Sequence, residues 1–312
     1  MTQMTPSTAR VIDPILSNVA QGYKNGQMVA DALFPIIPVG QRGGKIITFN
    51  KEHFRLYSTA RAPGTNTKRV QYGYAGSSFA LTQHALEGVV PFELMEDAAA
   101  VPGIDLGRMA VNRTQDIIFL DREYAAAQLA TNAANYGASK KTTLSGTAQW
   151  SDHTGTSKPS DDIETAREAI RSQIGRRPNT VILGAKVFSA LKTHPAILDR
   201  VKYTGRDSVT AELLANLWEV QQVKVGEAVY DNNGTMTDVW GKSVVIAYTE
   251  IGGLADMGTP SYGYTYRLNG YPIVEQPYQD RSAKSWVYPV TDELSPVIAG
   301  ASAGYLISAA VA

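Results

Sequence analysis

The spacing of apolar positions divides the chain into extended and helical stretches in a definite order. Residues 1–39 read as an arm, punctuated by Pro6, Pro14, Pro35 and Pro38, through which no helix can run. Between them Ile15, Val19, Tyr23, Met28 and Val29 predict one short amphipathic piece. Residues 32–38, reading Ala-Leu-Phe-Pro-Ile-Ile-Pro, form an extended apolar segment that must be covered by something. Lys45-Ile46-Ile47-Thr48-Phe49 is β-branched and aromatic, hence a strand. Val70, Tyr72 and Tyr74 alternate with Gln71, Gly73 and Ala75 in a second strand, after a turn at Ala62-Pro63-Gly64-Thr65-Asn66. A two-stranded excursion of this kind is marginal alone in water and needs a surface to lie on. A mixed apolar stretch around Leu86, Val89, Val90 and Phe92 leads to a break at Pro102-Gly103.

The period then changes. Leu106, Ala110, Ile117, Leu120, Tyr124 and Ala127 keep to spacings of three, four and seven, which predicts a helix over 105–132 with Asp105 as its N-cap. At 1.5 Å per residue it would be about 42 Å long. Residues 136–160 are linker-like, with Trp150 as the large anchor. Asp161-Asp162-Ile163-Glu164 resembles a capping box, and Ile163, Ala166, Ile170 and Ile174 form a helical stripe closed by Gly175. A buried strand at 180–184, helical patterns at 185–191, 195–201 and 210–218, and strands at 223–230 and 243–248 complete an α/β unit. Asp231-Asn232-Asn233-Gly234 is a turn within it. Beyond Gly252, strands are predicted at 262–268, 272–276 and 285–290.

Composition narrows the classes. A chain of 312 residues allows two or three domains, and 44% hydrophobic residues excludes wholesale disorder. The absence of cysteine excludes disulfide frameworks, thiolate nucleophiles and cysteine-ligated metals. With 29 basic and 29 acidic residues, a strongly basic nucleic-acid binder is disfavoured. Charged residues reach only 19%, against about 25% in an average soluble domain, which implies a surface covered by partners. Polar residues near Arg10 and Asp13 argue against a secretory signal. The uncharged end, 294–312, holds Pro296, Gly300 and Gly304, and reads as buried strand plus tail rather than a membrane span. A soluble chain, intracellular when made, is expected.

Charge is unevenly placed. From Arg42 to Arg69 stand Arg42, Lys45, Lys51, Arg55, Arg61, Lys68 and Arg69 against Glu52 alone, a net of plus six. The helix and its lead-in carry Glu93, Glu96, Asp97, Asp105, Asp116, Asp121 and Glu123 against Arg108, Arg113 and Arg122, a net of minus four. The two groups are expected to meet between copies, in a heterologous contact that closes into rings or shells.

Candidate chemistry is sparse. His53, His84, His153 and His194 have no second ligand at metal spacing. Asp152-His153 suggests a triad fragment, but no Gly-x-Ser-x-Gly elbow is present. Asp161-Asp162 is explained by a helix start. Residues 40–44 lack the spacing of a phosphate loop. Tyr57, Tyr72 and Tyr74 on the basic hairpin could stack on bases, but an acidic helix in the same chain can neutralise that hairpin. No catalytic, cofactor-binding or metal-binding residues are expected.

The order of parts resembles the major capsid proteins of tailed bacteriophages with the Hong Kong 97 fold. The likeness is carried by Tyr23-Lys24-Asn25-Gly26, Met28-Val29-Ala30-Asp31 and Leu33-Phe34-Pro35 in the arm, and by Arg42-Gly43-Gly44-Lys45 to Phe49 at the loop entry. His84-Ala85-Leu86-Glu87-Gly88-Val89-Val90-Pro91 and Asp121-Arg122-Glu123 carry it through the long helix. The resemblance implies an α+β fold with an N-terminal arm (1–39), an extended β-hairpin loop (40–83), a peripheral domain with a spine helix (84–159 and 251–312) and an α/β axial domain (160–250). It implies self-assembly into pentamers and hexamers of an icosahedral shell around double-stranded DNA, with no enzyme activity and no cofactor. It further implies a portal protein, a candidate decoration protein, and a place in the virion after assembly in the host bacterial cytoplasm. The short arm implies a separate scaffold protein. Lys51 and Lys68 lie where some relatives crosslink, but no partner asparagine matches, so no crosslink is expected. Two other readings stand beside this one: a cellular nanocompartment shell enclosing a cargo enzyme, and a hydrolase on the α/β unit using Asp152 and His153.

Overall fold

A computed structural model describes residues 13–22, 28–45, 60, 78–99, 105–154, 156–202, 208–250 and 261–312. The chain opens with α1 (Pro14–Gly22), α2 (Ala30–Leu33) and β1 (Ile36–Val39). Strands β2 (Gly43–Lys45) and β3 (Ser78–Ala80) pair antiparallel. Then β4 (Thr82–Pro91) runs into α3 (Phe92–Ala99) and the long α4 (Leu106–Thr131). Next come β5 (Lys141–Thr143), α5 (Pro159–Ile174), β6 (Thr180–Gly184), α6 (Ala185–Thr193), α7 (Pro195–Val201), α8 (Ala211–Leu217) and β7 (Gln222–Gly226). A hairpin of β8 (Val229–Asn232) and β9 (Thr235–Asp238) precedes β10 (Val244–Ala247). The chain closes with β11 (Gly263–Leu268), β12 (Ile273–Val274), β13 (Tyr278–Asp280), β14 (Ser285–Ile298) and β15 (Gly304–Ser308). The expected strands at 45–49 and 70–75 and the turn at 62–66 lie, apart from Lys45, outside the described residues.

Helix α4 has 26 residues, about 39 Å at 1.5 Å each. Asp105 caps it as expected, its carboxylate accepting from the Arg108 N–H at 3.0 Å. Five of the six residues of the apolar stripe face the interior: Ala127 is buried, Leu106 and Ala110 pack on one core cluster, and Leu120 and Tyr124 pack on the main core. Val111, Thr114, Gln115, Ile118, Arg122, Glu123 and Ala126 point inward, while Ile117 is 54% exposed. The apolar pattern missed Ile117 alone within the stripe, and it did not record the polar inner side chains, whose partners come from other segments.

Strand β14 organises the first sheet. Along one edge it pairs with β4 over ten residues, from Ser285↔Pro91 to Leu294↔Thr82. Along the other edge lie β13, β12 and β11 in turn, and β1 adds parallel to β11. The second sheet runs β5-β15-β10-β6-β7. Its central strands β6 and β10 are buried throughout, which explains their uninterrupted apolar runs. Strands β5 and β15 come from outside 160–250, so the expected domain boundaries do not follow the sheets. The reason is register: Val244↔Ile307 through Ala247↔Gly304 seats the chain's end against the α/β unit.

Within that unit the stripe Ile163, Ala166, Ile170 and Ile174 is buried, and Gly175 ends α5 at φ 67°. Helix α5 starts at Pro159, so Asp161 and Asp162 sit in its first turn instead of forming the expected cap. Asp162 accepts from the Trp150 indole N–H at 2.8 Å, and burial raises its pKa. Trp150 is fully buried, the anchor of the linker as expected. His194 is buried at the start of α7, where its Nδ1 accepts from the Ala196 N–H at 3.2 Å and its Nε2 lies 3.2 Å from Ser157 Oγ. Burial first, and then His153, push its pKa below the ordinary value of 6.5.

The cover that the arm's apolar segment requires comes from its own chain. Leu33 and Phe34 are fully buried in the main core, and Phe34 packs on Tyr262 at 5.6 Å. The cause is a carboxylate. Glu123, with no exposed surface, accepts from Val29 N at 3.0 Å, Ala30 N at 2.9 Å and Trp240 Nε1 at 2.7 Å. Burial raises its pKa; the three donors and Arg122 pull the other way. Gly226 makes room for Trp240, since a Cβ there would stand 2.1 Å from the indole ring. Beside this junction Arg122 pairs with Asp31 at 3.1 Å.

Glu123→Gln presents an amide NH2 to at least one N–H donor. The expected loss is about 1–3 kcal/mol of unfolding free energy, measured by chemical denaturation of the unassembled subunit; a loss within error removes the junction from the account. For His194, a folded pKa below the unfolded value means that the unfolded state binds the proton more readily. The stability it contributes is present above 6.5 and lost as pH falls below that value. His194→Asn keeps a capping acceptor without the titration. The stability gap between the two proteins should narrow on acidification below 6.5, and a constant gap would refute the assignment.

Candidate subunit interface

The acidic residues singled out in the sequence fall into two groups. Glu93, Glu96 and Asp97 are exposed on α3, and Asp105 is exposed at the start of α4. Asp116 is half-buried, and the exposed Asp121 stands 3.0 Å from His84 Nδ1 on β4. Glu123 does not belong with them, because its carboxylate is buried and saturated inside its own subunit. The sequence places it in an acidic run, and only the fold turns it inward.

The basic residues divide similarly. Lys45 is exposed at the end of β2, whereas Lys51, Arg55, Arg61, Lys68 and Arg69 lie outside the described residues. Arg42 is engaged by its own chain. Its Nε and Nη2 donate to the buried Glu293 of β14 at 2.7 and 3.0 Å, and Tyr271 OH lies 3.2 Å from the same carboxylate. That carboxylate holds the Arg42 pKa above its ordinary value. Arg42, although its side chain is 69% exposed, is thus engaged within its own chain. It is a tie between the root of the β2–β3 ribbon and the first sheet. Phe79 reinforces the tie by stacking on Tyr266 at 4.3 Å.

An apolar component escaped the sequence reading. Leu94 of α3 and Met109 and Ile117 of α4 are each more than half exposed. Met109, Arg113, Ile117 and Asp121 recur every four residues and so share one outer row of the helix. Leu86, also exposed, lies between His84, which reaches Asp121, and Gly88, which packs against Ala110 and Thr114. Carboxylates and uncovered apolar side chains thus alternate over α3 and the outer side of α4. The exposure of Met109 and Ile117 is the signal, and it cannot be read before the inner face is known.

The catalytic alternative finds no geometry. Asp152 accepts from the Thr154 N–H at 2.8 Å, which lowers its pKa, and His153 is exposed. Ser157 and His194 do meet, but both are buried. With Nδ1 accepting a backbone N–H, the ring proton sits on Nε2 and is donated to Ser157, the wrong tautomer for a base. Among the described residues no group of three histidines or carboxylates could hold a metal ion, and no helix is long and apolar enough to cross a membrane.

Comparison with known proteins places the chain in a family. Residues 120–302 match the family described as phage major capsid protein E. The chain is 39% identical over 307 residues to the major capsid protein of Burkholderia phage BcepMu, covering 97% of each. It is similar to the crystal structure of a phage-related protein from Bordetella bronchiseptica RB50, with 47% identity and a TM-score of 0.82, over 96% of this chain and 98% of that one. The mature capsid of bacteriophage PhiM1 shares the fold alone, with a TM-score of 0.55 at 12% identity over 92% of this chain and 88% of that one. The chain therefore belongs to the phage major capsid protein E family and has the Hong Kong 97-type α+β capsid fold.

Proposed function

We propose that this chain is the shell-forming subunit of a tailed-phage head, assembling through a basic loop that lies on the acidic, partly apolar surface of α3 and α4 in a neighbouring copy. The observation that carries the contact is charge complementarity. Without Arg42, the loop keeps six basic residues against Glu52, a net of plus five. Without the buried Glu123 and the engaged Arg122, the opposing surface keeps six acids against Arg108 and Arg113, a net of minus four. Exposed ion pairs contribute about 0–1 kcal/mol each, so they set register while Leu94, Met109 and Ile117 supply apolar area.

Copies would close into pentamers and hexamers of an icosahedral shell, assembled in the bacterial cytoplasm around double-stranded DNA held without sequence-specific contact. A separate scaffold protein, a portal protein and a decoration protein are the further partners of this reading. The chemistry of the chain supports a structural role, with Asp152 committed to a local turn. A nanocompartment shell would share the fold, but the near full-length relative is named a major capsid protein.

Two measurements test the reading. Electron microscopy of purified protein should show closed shells, carrying DNA when taken from infected cells; a cargo enzyme in place of DNA would point to the nanocompartment. Reversing charge at Arg55, Arg61, Lys68 and Arg69 should abolish regular particles in low salt while leaving the subunit's circular dichroism unchanged. Normal particles at low and high salt would overturn the loop contact, since screening over about 8 Å at physiological salt acts only on a charge-dependent step.

A further inference from the structure

We infer that the outer edge of β4 is a docking edge that takes one further strand from a second copy of this chain. Hydrogen-bond parity along β14 identifies the backbone groups that this edge offers. Glu275 N–H donates to Pro289 C=O at 3.0 Å, and Ala299 N–H donates to Tyr262 C=O at 2.9 Å. The odd-numbered residues of β14 therefore turn toward β12 and β11, and the even-numbered ones turn toward β4. The register from Trp286↔Val90 to Leu294↔Thr82 engages the even-numbered residues of β4. Gln83, Ala85, Glu87 and Val89 then point their N–H and C=O groups the other way, where none has a partner among the described residues.

The same edge is already in use just before β4. Leu81 N–H donates to Arg42 C=O at 2.8 Å, and β2 pairs with β3 on that side. Ahead of Arg42 the chain belongs to β1, beyond β11, so 83–89 stays open over about 20 Å. Sheets usually guard such an edge with proline, lysine or a bulge. The opposite edge is guarded. Thr265 N–H donates to Pro35 C=O and Asn269 N–H to Val39 C=O, so Ile36 and Pro38 of β1 face outward, and Pro38 has no N–H to offer. On β4 a proline comes only at Pro91, the end of the outward row. From 83 to 89 the register with β14 is unbroken, no lysine or arginine occurs, and Glu87 is the single charge among the outward residues.

One exposed apolar side chain flanks the edge on each face of the sheet. Leu86, in the row of Gly88 that packs on α4, is 42% exposed, and Val89, on the other face, is 56% exposed. An added strand, whose side chains alternate between faces, covers both. The occupant is a second copy because the edge continues the surface on which a neighbour's loop lies in the shell reading. His84 reaches Asp121 on the outer row of α4, and α3 starts directly after Pro91. This docking rests on that reading and adds main-chain pairing to its charges and apolar area.

Residue-resolved hydrogen exchange tests it, comparing unassembled subunits with particles formed from the same purified protein. In the subunit the amides of Gln83, Ala85, Glu87 and Val89 should exchange freely, while those of His84, Leu86 and Gly88, bonded to β14, are slow. In particles the odd-numbered set should slow by about a hundredfold. Ala85→Pro removes one outward donor and no hydrogen bond of the subunit, and Pro91 shows that the row accommodates proline. Its circular dichroism should match the parent's, while the concentration needed for assembly rises about tenfold. The exchange comparison needs no variant and decides the matter if Ala85→Pro does not fold. Particles whose odd-numbered amides stay fast overturn the docking and leave the shell reading standing, as does a folded Ala85→Pro subunit that assembles like its parent. Amides slow in virions but fast in particles of this protein alone also overturn it, since the added strand then belongs to another protein. A protein that forms no particles overturns both readings.

Discussion

One buried carboxylate holds three remote pieces of this subunit together. Glu123 sits two-thirds of the way along α4 and receives N–H groups from the arm and from the loop before β10. Removing a charged group from water is costly unless its lone pairs are met, so the junction forms as a unit. With Val29 and Ala30 bound to it, Leu33 and Phe34 enter the core and β1 is delivered to the edge of β11. With Trp240 bound to it, the α/β unit is registered against the long helix. The spine helix thereby becomes the axis on which arm, sheet and α/β unit are hung.

A second consequence concerns the two sides of α4. The inner side carries Thr114, Gln115, Arg122 and Glu123, and the outer side carries Met109 and Ile117. Most of the inner side is nonetheless apolar, including Val111, Ile118, Phe119 and Ala126, so Met109 and Ile117 are additional apolar area left in contact with water. The polar inner side chains fix the internal geometry through partners on other segments. The first sheet shows the same logic. Strand β14 buries Asp292 and Glu293 side by side, one answered by Arg267 at 2.6 Å and the other by Arg42. The root of the β2–β3 ribbon is thus tethered by charge to the central strand of the first sheet.

Much of the order of elements was legible. The N-cap at Asp105, the stripe of α5 with Gly175 behind it, the buried strands β6 and β10 and the turn at Asn233-Gly234 all depend on neighbours close in sequence, where propensity and period act directly. The strand at 285–290 was read too short, since Asp292 and Glu293 look like solvent residues until Arg267 and Arg42 are brought to them. For the candidate interface, the uneven charge could be counted, but the apolar row could not be found.

The amino-acid sequence alone therefore established the succession of arm, loop, long helix and α/β unit, and the polarity of charge between loop and helix. Tertiary structure alone decided that Ile117 faces outward, that the arm is buried at home, and that Arg42 and Glu123 serve their own subunit. The physical reason is range. Helical and strand periods are set within a few residues, whereas the burial of a charge is decided by a partner 94 or 251 positions away, whose position no local pattern records.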